Sequence, residues 1–144
     1  MQLQLQTVIW DFPKGFDALR AEARTEDYKH IERLFDDWQS GETKFDKDDE
    51  LLLAAFADGE LAAIGGITQD PSLKRTLRMR RFYVRPKFRR NGIGRKLAEG
   101  LLSDPRERGL AVVVNAGPKD AAVFWESLGF KADARDGHSH ALRS

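Results

Sequence analysis

The sequence contains no cysteine and no long apolar run. The missing cysteines exclude disulfides, thiolate-bound metals, iron–sulfur clusters and cysteine nucleophiles. No apolar stretch approaches the roughly 18–20 residues of a membrane-spanning helix, and the first residues lack the basic start and apolar core of a secretory signal. We therefore expect a cytoplasmic protein that does not enter a membrane.

Acidic residues are missing from residues 71–98, which carry eleven lysines and arginines. The rest of the chain therefore has a net charge of −10, although the whole chain has +1. Residues 11–60 contain fifteen acidic and seven basic residues. This division predicts an anionic ligand for the middle of the chain and suggests a cationic partner for the front half.

The length of 144 residues, with 41% of them apolar, predicts one domain that spans residues 1–144. We expect a first strand at residues 7–10, then helix from residue 16 to about 41 in two pieces, the second capped by Thr25. Residues 51–57 and 61–67 flank Asp58-Gly59 as a β-hairpin. A strand at 111–114, a helix at 121–128 capped by Asp120, and strands at 130–134 and 138–142 follow. The sum is an α+β fold whose mixed, mainly antiparallel sheet has about six to seven strands flanked by about four helices.

The strand at residues 76–84 does not keep a regular alternation. Its apolar positions, at spacings of two, three and two, are Leu77, Met79, Phe82 and Val84. One extra residue at Arg80-Arg81 would return all four to one face, which predicts a β-bulge. The alternative is that the two arginines protect an edge strand from aggregation.

The segment after this strand has the features of an anion site. Apolar residues at four-residue steps from Ile93 predict a helix from the glycines to about residue 108. The amides of a first helical turn have no intrahelical partners, and Gly92 and Gly94 would let a phosphate approach them. Five nearby cations add charge: Arg85, Lys87, Arg89, Arg90 and Arg95.

The motif is neither a Walker A loop nor a dinucleotide fingerprint, because it has no Gly-Lys-Ser/Thr and no third glycine. The run Arg89-Arg90-Asn91-Gly92-Ile93-Gly94 resembles the acetyl-CoA loop of the GNAT N-acetyltransferase superfamily, Arg/Gln-x-x-Gly-x-Gly/Ala. Phe82-Tyr83-Val84-Arg85-Pro86 precedes it as in that family. A second family block follows at residues 121–130, Ala-Ala-Val-Phe-Trp-Glu-Ser-Leu-Gly-Phe.

The resemblance implies direct transfer of an acetyl group from acetyl-CoA to a small amine, an amino acid or a protein amino group. It places the main chain of Phe82, Tyr83 and Val84 against the pantetheine arm, where an amide polarises the thioester carbonyl. The pyrophosphate would be bound, chiefly through amides, by Arg89, Arg90, Asn91, Gly92, Ile93, Gly94 and Arg95. Asn115, Phe124 and Trp125 are further candidate cofactor contacts. No metal is expected, and a homodimer is a family-level expectation.

Three positions depart from the family pattern. Trp125 stands where many relatives have a tyrosine that protonates the departing thiolate, and an indole is not a usable acid near neutral pH. Arg78 replaces a glutamate on the central strand, and Pro118 replaces an asparagine. The acid must therefore be another group, water or nothing, and Tyr83, the nearest tyrosine in the predicted site, is the candidate group. The candidate base is Glu60 or one of four acids that could instead be solvated loop residues: Asp46, Asp48, Asp49 and Glu50. If these acids line the acceptor entrance, they favour a cationic amine.

Two other functions compete with acetyl transfer. The basic segment with Phe82, Tyr83 and Phe88 could stack on a nucleic acid, and Trp125 could indicate a family member that binds CoA without catalysis.

His138 and His140 could begin a metal site, but no third ligand is evident, so we expect a surface pair. Tyr28, Phe35 and Trp38 recur at helical spacing, which predicts that all three lie in the core.

Overall fold

The computed structural model describes residues 1–143 and has the predicted α+β fold. Its seven strands are β1 (Leu3–Thr7), β2 (Leu51–Ala57), β3 (Glu60–Gln69), β4 (Thr76–Val84), β5 (Ala111–Val114), β6 (Lys131–Arg135) and β7 (His138–Leu142). Its helices are α1 (Phe16–Thr25), α2 (His30–Ser40), α3 (Ile93–Glu107) and α4 (Lys119–Ser127). The strands form one sheet in the order β1-β2-β3-β4-β5-β7-β6. Only the β4–β5 pair is parallel among these described strands.

The sheet separates two hydrophobic cores. Residues of α3 and α4 pack on one face, and residues of α1 and α2 pack on the other. Strand β2 contributes to both, since Leu53 faces the first core and its neighbour Leu52 faces the second. Burial on both faces explains why β2 and β3 appear in the sequence as continuous apolar runs. No helix within residues 1–143 combines the length and the apolar character that crossing a bilayer requires.

Three predicted boundaries were wrong. The first strand lies at Leu3–Thr7 instead of residues 7–10, because the alternating Gln and Leu side chains suit an edge strand paired with β2. Thr25 ends α1 and donates its hydroxyl to the Glu22 carbonyl at 2.6 Å, so it does not cap α2. Asp120 lies inside the first turn of α4, after Pro118.

The predicted bulge in β4 is confirmed. Arg80 pairs with Gly66 and Tyr83 with Ile64, so β4 has one residue more than β3 in this interval. Arg81 has a φ of 56°. The insertion brings the four apolar residues of β4 to the face covered by α3 and α4. Arg80 and Arg81 lie in the part of β4 that continues beyond its pairing with β5, so edge protection stays an alternative interpretation of the two arginines.

Strands β4 and β5 pair over a short stretch only and then diverge. Their parallel pairing runs from Thr76 opposite Ala111 to Arg78 opposite Val113. Residues 79–84 continue beyond it, and no described strand pairs with them on the β5 side. This open edge of β4 is where the candidate site begins.

Candidate functional site

The open edge of β4 exposes main-chain groups of Val84. The amide of the next residue, Arg85, donates to the Ala62 carbonyl on β3 at 2.9 Å. Since neighbouring residues of an antiparallel ladder direct their main-chain groups to opposite sides, the amide and carbonyl of Val84 face away from β3. The Val84 carbonyl accordingly accepts a hydrogen bond from Arg89 Nε at 2.9 Å.

The first turn of α3 is a second source of free amides. No side chain caps this helix, and the amide of Lys96 donates to the Gly92 carbonyl at 3.1 Å. The amides that precede Lys96 in the helix therefore have no intrahelical acceptor. Gly92 has a φ of 76°, and a Cβ there would have no atom within 4 Å. An uncapped helix start with open space before it fits a diphosphate.

Gly94 contributes close packing. A Cβ at this position would lie 3.2 Å from Val84 Cγ2 and 3.6 Å from Phe124 Cε1. The missing side chain thus lets the start of α3 lie against the end of β4 and against α4. The open edge of β4, the first turn of α3 and Phe124 meet at this point, and we call their junction the β4–α3 groove.

An aromatic cluster supports this groove from below. The ring centroids of Phe82 and Trp125 lie 4.9 Å apart, as do those of Phe124 and Trp125. Trp125 is only 4% exposed and also contacts Phe130, so it belongs to the core. Phe82 and Phe124 are half-buried, whereas Asn115 is exposed directly after β5.

Three of the five predicted loop cations pair with glutamates of the acidic front half. The pairs are Arg85 with Glu22 at 2.7 Å, Lys87 with Glu60 at 2.6 Å, and Arg89 with Glu26 at 2.6 Å. Part of the charge division seen in the sequence is therefore neutralised within the molecule. Arg90 has no ion-pair partner within residues 1–143, and Arg95 lies 3.7 Å from Glu99. The free amides at the start of α3, with these exposed cations, are therefore the candidate anion site.

The hydroxyl of Tyr83 is directed away from the groove. Its ring lies in the core under α1 and α2, and the hydroxyl donates to Glu26. Burial, together with this bond, raises the pKa of Tyr83 well above its usual value. Both observations weaken Tyr83 as a general acid.

Tyr28, between α1 and α2, makes a contact that its helical spacing did not indicate. Its hydroxyl donates to the Phe82 carbonyl at 2.6 Å, and burial raises the pKa of Tyr28 to about 12. This bond fixes the main chain of β4 directly after the bulge.

Most of the candidate bases are already held by ion pairs or hydrogen bonds within the protein. Lys87 lies 2.6 Å from the half-exposed Glu60 carboxylate, and the hydrogen bond from Lys87 holds the pKa of Glu60 below its usual value. A depressed pKa weakens a general base. Asp49 binds Arg108. Glu50 accepts the Gln69 amide at 3.0 Å.

A cavity of about 360 Å³ lies on the α2 side of β4. Its wall is formed by residues 41–47 and by parts of α2, β3 and β4. It contains four acids, Asp37, Glu42, Asp46 and Glu50, and also Arg80 and Arg81. Asp48 and Asp49 do not line it. The cavity therefore combines two of the candidate bases with the arginines of the bulge.

Arg78, the residue that replaces the family's glutamate, makes contacts that stabilise the fold. It is buried, lies 2.9 Å from the buried Asp70 carboxylate, and donates to the carbonyls of Asp136 and Gly137. It therefore joins β4 to the β6–β7 turn.

The expected surface pair of histidines was wrong. His138 is 5% and His140 is 7% exposed, because β7 lies inside the sheet between β5 and β6. His140 Nε2 lies 2.8 Å from Glu126. Within residues 1–143, no three His, Cys, Asp or Glu side chains are grouped as metal ligands would be.

Comparison with known proteins agrees with this geometry. The acetyltransferase (GNAT) domain profile matches residues 19–143. The chain belongs to the GNAT family. An Exiguobacterium sp. 255-15 structure assigned as an acetyltransferase is 26% identical to this GNAT chain, with a TM-score of 0.87 over 99% of this chain and 94% of the other.

Two more distant GNAT structures share the fold. The PaiA N-acetyltransferase of Thermoplasma acidophilum, solved with coenzyme A, is 19% identical, with a TM-score of 0.66 over 100% of both chains. A Brucella melitensis GNAT acetyltransferase, solved with acetyl-CoA, is 20% identical, with a TM-score of 0.67 over 99% of this chain and 88% of the other. No curated protein matched the chain.

Proposed function

We propose that this GNAT domain transfers an acetyl group from acetyl-CoA to an amine. The observation that supports it most strongly is the β4–α3 groove, in which an uncapped helix start lies beside the unpaired edge of β4. Preorganised amides in such a position suit a diphosphate at one end and a thioester carbonyl at the other. The reaction would join the acceptor nitrogen to the acetyl carbon while the carbon–sulfur bond breaks and CoA leaves as the thiol.

Each wall of the groove has a proposed task. The amides at the start of α3, with Arg90 and Arg95, would hold the diphosphate. The amide of Val84 would polarise the thioester carbonyl, and Phe82 and Phe124 would contact the pantetheine arm. Asn115, which is exposed directly after β5, would be a further contact. Trp125 would support the two phenylalanines from the core.

The acceptor is proposed to enter through the 360 Å³ cavity. Four acids and four cations line it, the cations being Lys44, Lys47, Arg80 and Arg81, so individual carboxylates such as Asp46, and not a net negative charge, would attract an ammonium group. The nitrogen must lose a proton before it attacks, because an ammonium has no lone pair. The fixed ion pairs of Glu60 make Asp46, which is exposed in the cavity wall, a better candidate base.

A catalytically inert CoA-binding protein is the second candidate, favoured by the core position of Trp125. Nucleic-acid binding is not favoured, since Tyr83 is buried and Phe82 and Phe88 are packed against the core. Stacking on bases needs exposed rings.

The two candidates can be separated in one experiment. Isothermal titration at physiological salt measures the affinity for CoA and acetyl-CoA, and a thiol reagent then detects CoA released with a panel of amines. The protein has no cysteine, so the reagent reacts only with released CoA. Absence of CoA binding would refute both candidates. Binding without release for any amine would favour the inert protein.

A further inference from the structure

Arg80 lines the 360 Å³ cavity without an acidic partner. Its Nε donates to the hydroxyl of Thr68 at 3.1 Å. No carboxylate within residues 1–143 lies within ion-pair distance of it, whereas Arg78 pairs with Asp70 and Arg81 pairs with Asp37. The four Nη hydrogens of Arg80 are therefore available to a ligand in the cavity.

The surroundings of Arg80 are unfavourable for an isolated charge. The side chain is half-buried, and burial, reinforced by the neighbouring Arg81 and Arg78, lowers its pKa below the usual value. A partly desolvated cation gains stability from a bound anion. Protection of the unpaired β4 edge would account for the charge of Arg80, but not for its half-buried position in a cavity wall.

The bulge decides where this charge lies. It directs Phe82 to the face of α3 and α4, while Arg80 lies two residues earlier, in the cavity wall on the α2 side. Arg80 thus lies on the same strand as Val84, the proposed thioester position, and four residues before it.

We infer that Arg80 binds an anionic group, a carboxylate or a phosphate, on the acceptor itself. This inference rests on the proposed acetyl transfer. The guanidinium fork suits two oxygens of either group, and the acids that also line the cavity, such as Glu42 and Asp46, suit an ammonium. The acceptor is therefore a small zwitterion that carries an amine and an anionic group.

Matched acceptors test this inference. Glycine is compared with glycinamide, and phosphoethanolamine with ethanolamine, by CoA release from wild type, Arg80→Gln and Arg80→Lys. We expect wild type to prefer at least one anionic member roughly ten- to hundredfold in kcat/KM. Arg80→Gln should lose this preference, and Arg80→Lys should retain part of it. The pair that shows the preference distinguishes a carboxylate from a phosphate.

Arg33→Gln is the control, since it removes the same charge from the exposed surface of α2 outside the cavity. Unchanged CoA affinity shows that each variant is folded. Inorganic phosphate is also titrated into each protein at saturating CoA, so that the anion site is measured without turnover. Weaker phosphate binding in Arg80→Gln alone supports the inference. Equal phosphate binding by all variants, or equal use of charged and neutral acceptors, overturns it.

Failure of the proposed function has a different signature. In that case CoA does not bind, or no acceptor releases CoA, while a phosphate titration repeated without CoA still reports on Arg80. Transfer to neutral amines that is insensitive to Arg80→Gln would overturn only the anionic acceptor.

Discussion

Gly92 and Gly109 offer a matched pair of substitutions at the two ends of α3. Gly92 precedes the helix with a φ of 76°, and Gly109 follows it with a φ of 68°. A Cβ at either position would meet no atom within 4 Å. Tryptophan at each site therefore introduces the same bulk and similar backbone strain, but only Gly92 lies at the proposed diphosphate site.

The expected magnitudes follow from this geometry. A side chain in the left-handed region costs about 1–2 kcal/mol, so both variants should lose about that much unfolding free energy and remain folded. Each charge-assisted hydrogen bond contributes about 1.5–3 kcal/mol. Loss of two amide–phosphate bonds in Gly92→Trp should therefore weaken CoA binding at least roughly a hundredfold.

Isothermal titration with CoA and urea denaturation measure the two quantities separately. We expect Gly109→Trp to bind CoA like wild type and Gly92→Trp to bind it far more weakly, at similar stability. Wild-type affinity in Gly92→Trp would refute the role of the α3 amides. Equal loss of affinity in both variants would mean that backbone strain, and not occlusion, is responsible.

Three further predictions concern the Tyr83 hydroxyl, the buried ion pair of Asp70 with Arg78, and the surface ion pair of Glu32 with Arg20. Tyr83→Phe should leave kcat and its pH profile unchanged, since the hydroxyl is bound to Glu26; a fall in kcat together with loss of the basic limb of the profile would restore Tyr83 as the acid. Asp70→Ala should lower the unfolding free energy by about 3–5 kcal/mol in urea denaturation, because it leaves Arg78 buried without its counterion; a loss under about 1 kcal/mol would contradict this. The hydrogen bond from Arg20 lowers the pKa of Glu32 from 4.5 to about 2. Glu32→Gln should therefore be less stable than wild type above pH 4.5, by no more than about 1 kcal/mol for a partly exposed pair, and the difference should vanish as the pH falls toward 2. A difference that persists at pH 2 would count against this ion pair.

The features that were predictable from the sequence are local along the chain. The spacing of four apolar residues located the bulge in β4, and two glycines located the start of α3. The bulge and the helix start are each determined by residues within a few positions of each other, because strand alternation and the conformational freedom of glycine act over that short range. The boundary errors also have local causes, because Thr25 and Asp120 are residue types that suit a cap but follow or lie inside the helices that form.

The groups that the sequence could not assign depend on distant contacts. Arg85 pairs with Glu22, and Arg89 with Glu26, across 63 residues of chain, so composition alone suggested a free basic segment where the fold places neutral pairs. The same folding left Arg80 without a carboxylate, although it lies between two arginines that have one. Arg80 lines a cavity and has no carboxylate within ion-pair distance among residues 1–143, so an anionic ligand bound in that cavity would supply the counterion that the protein does not.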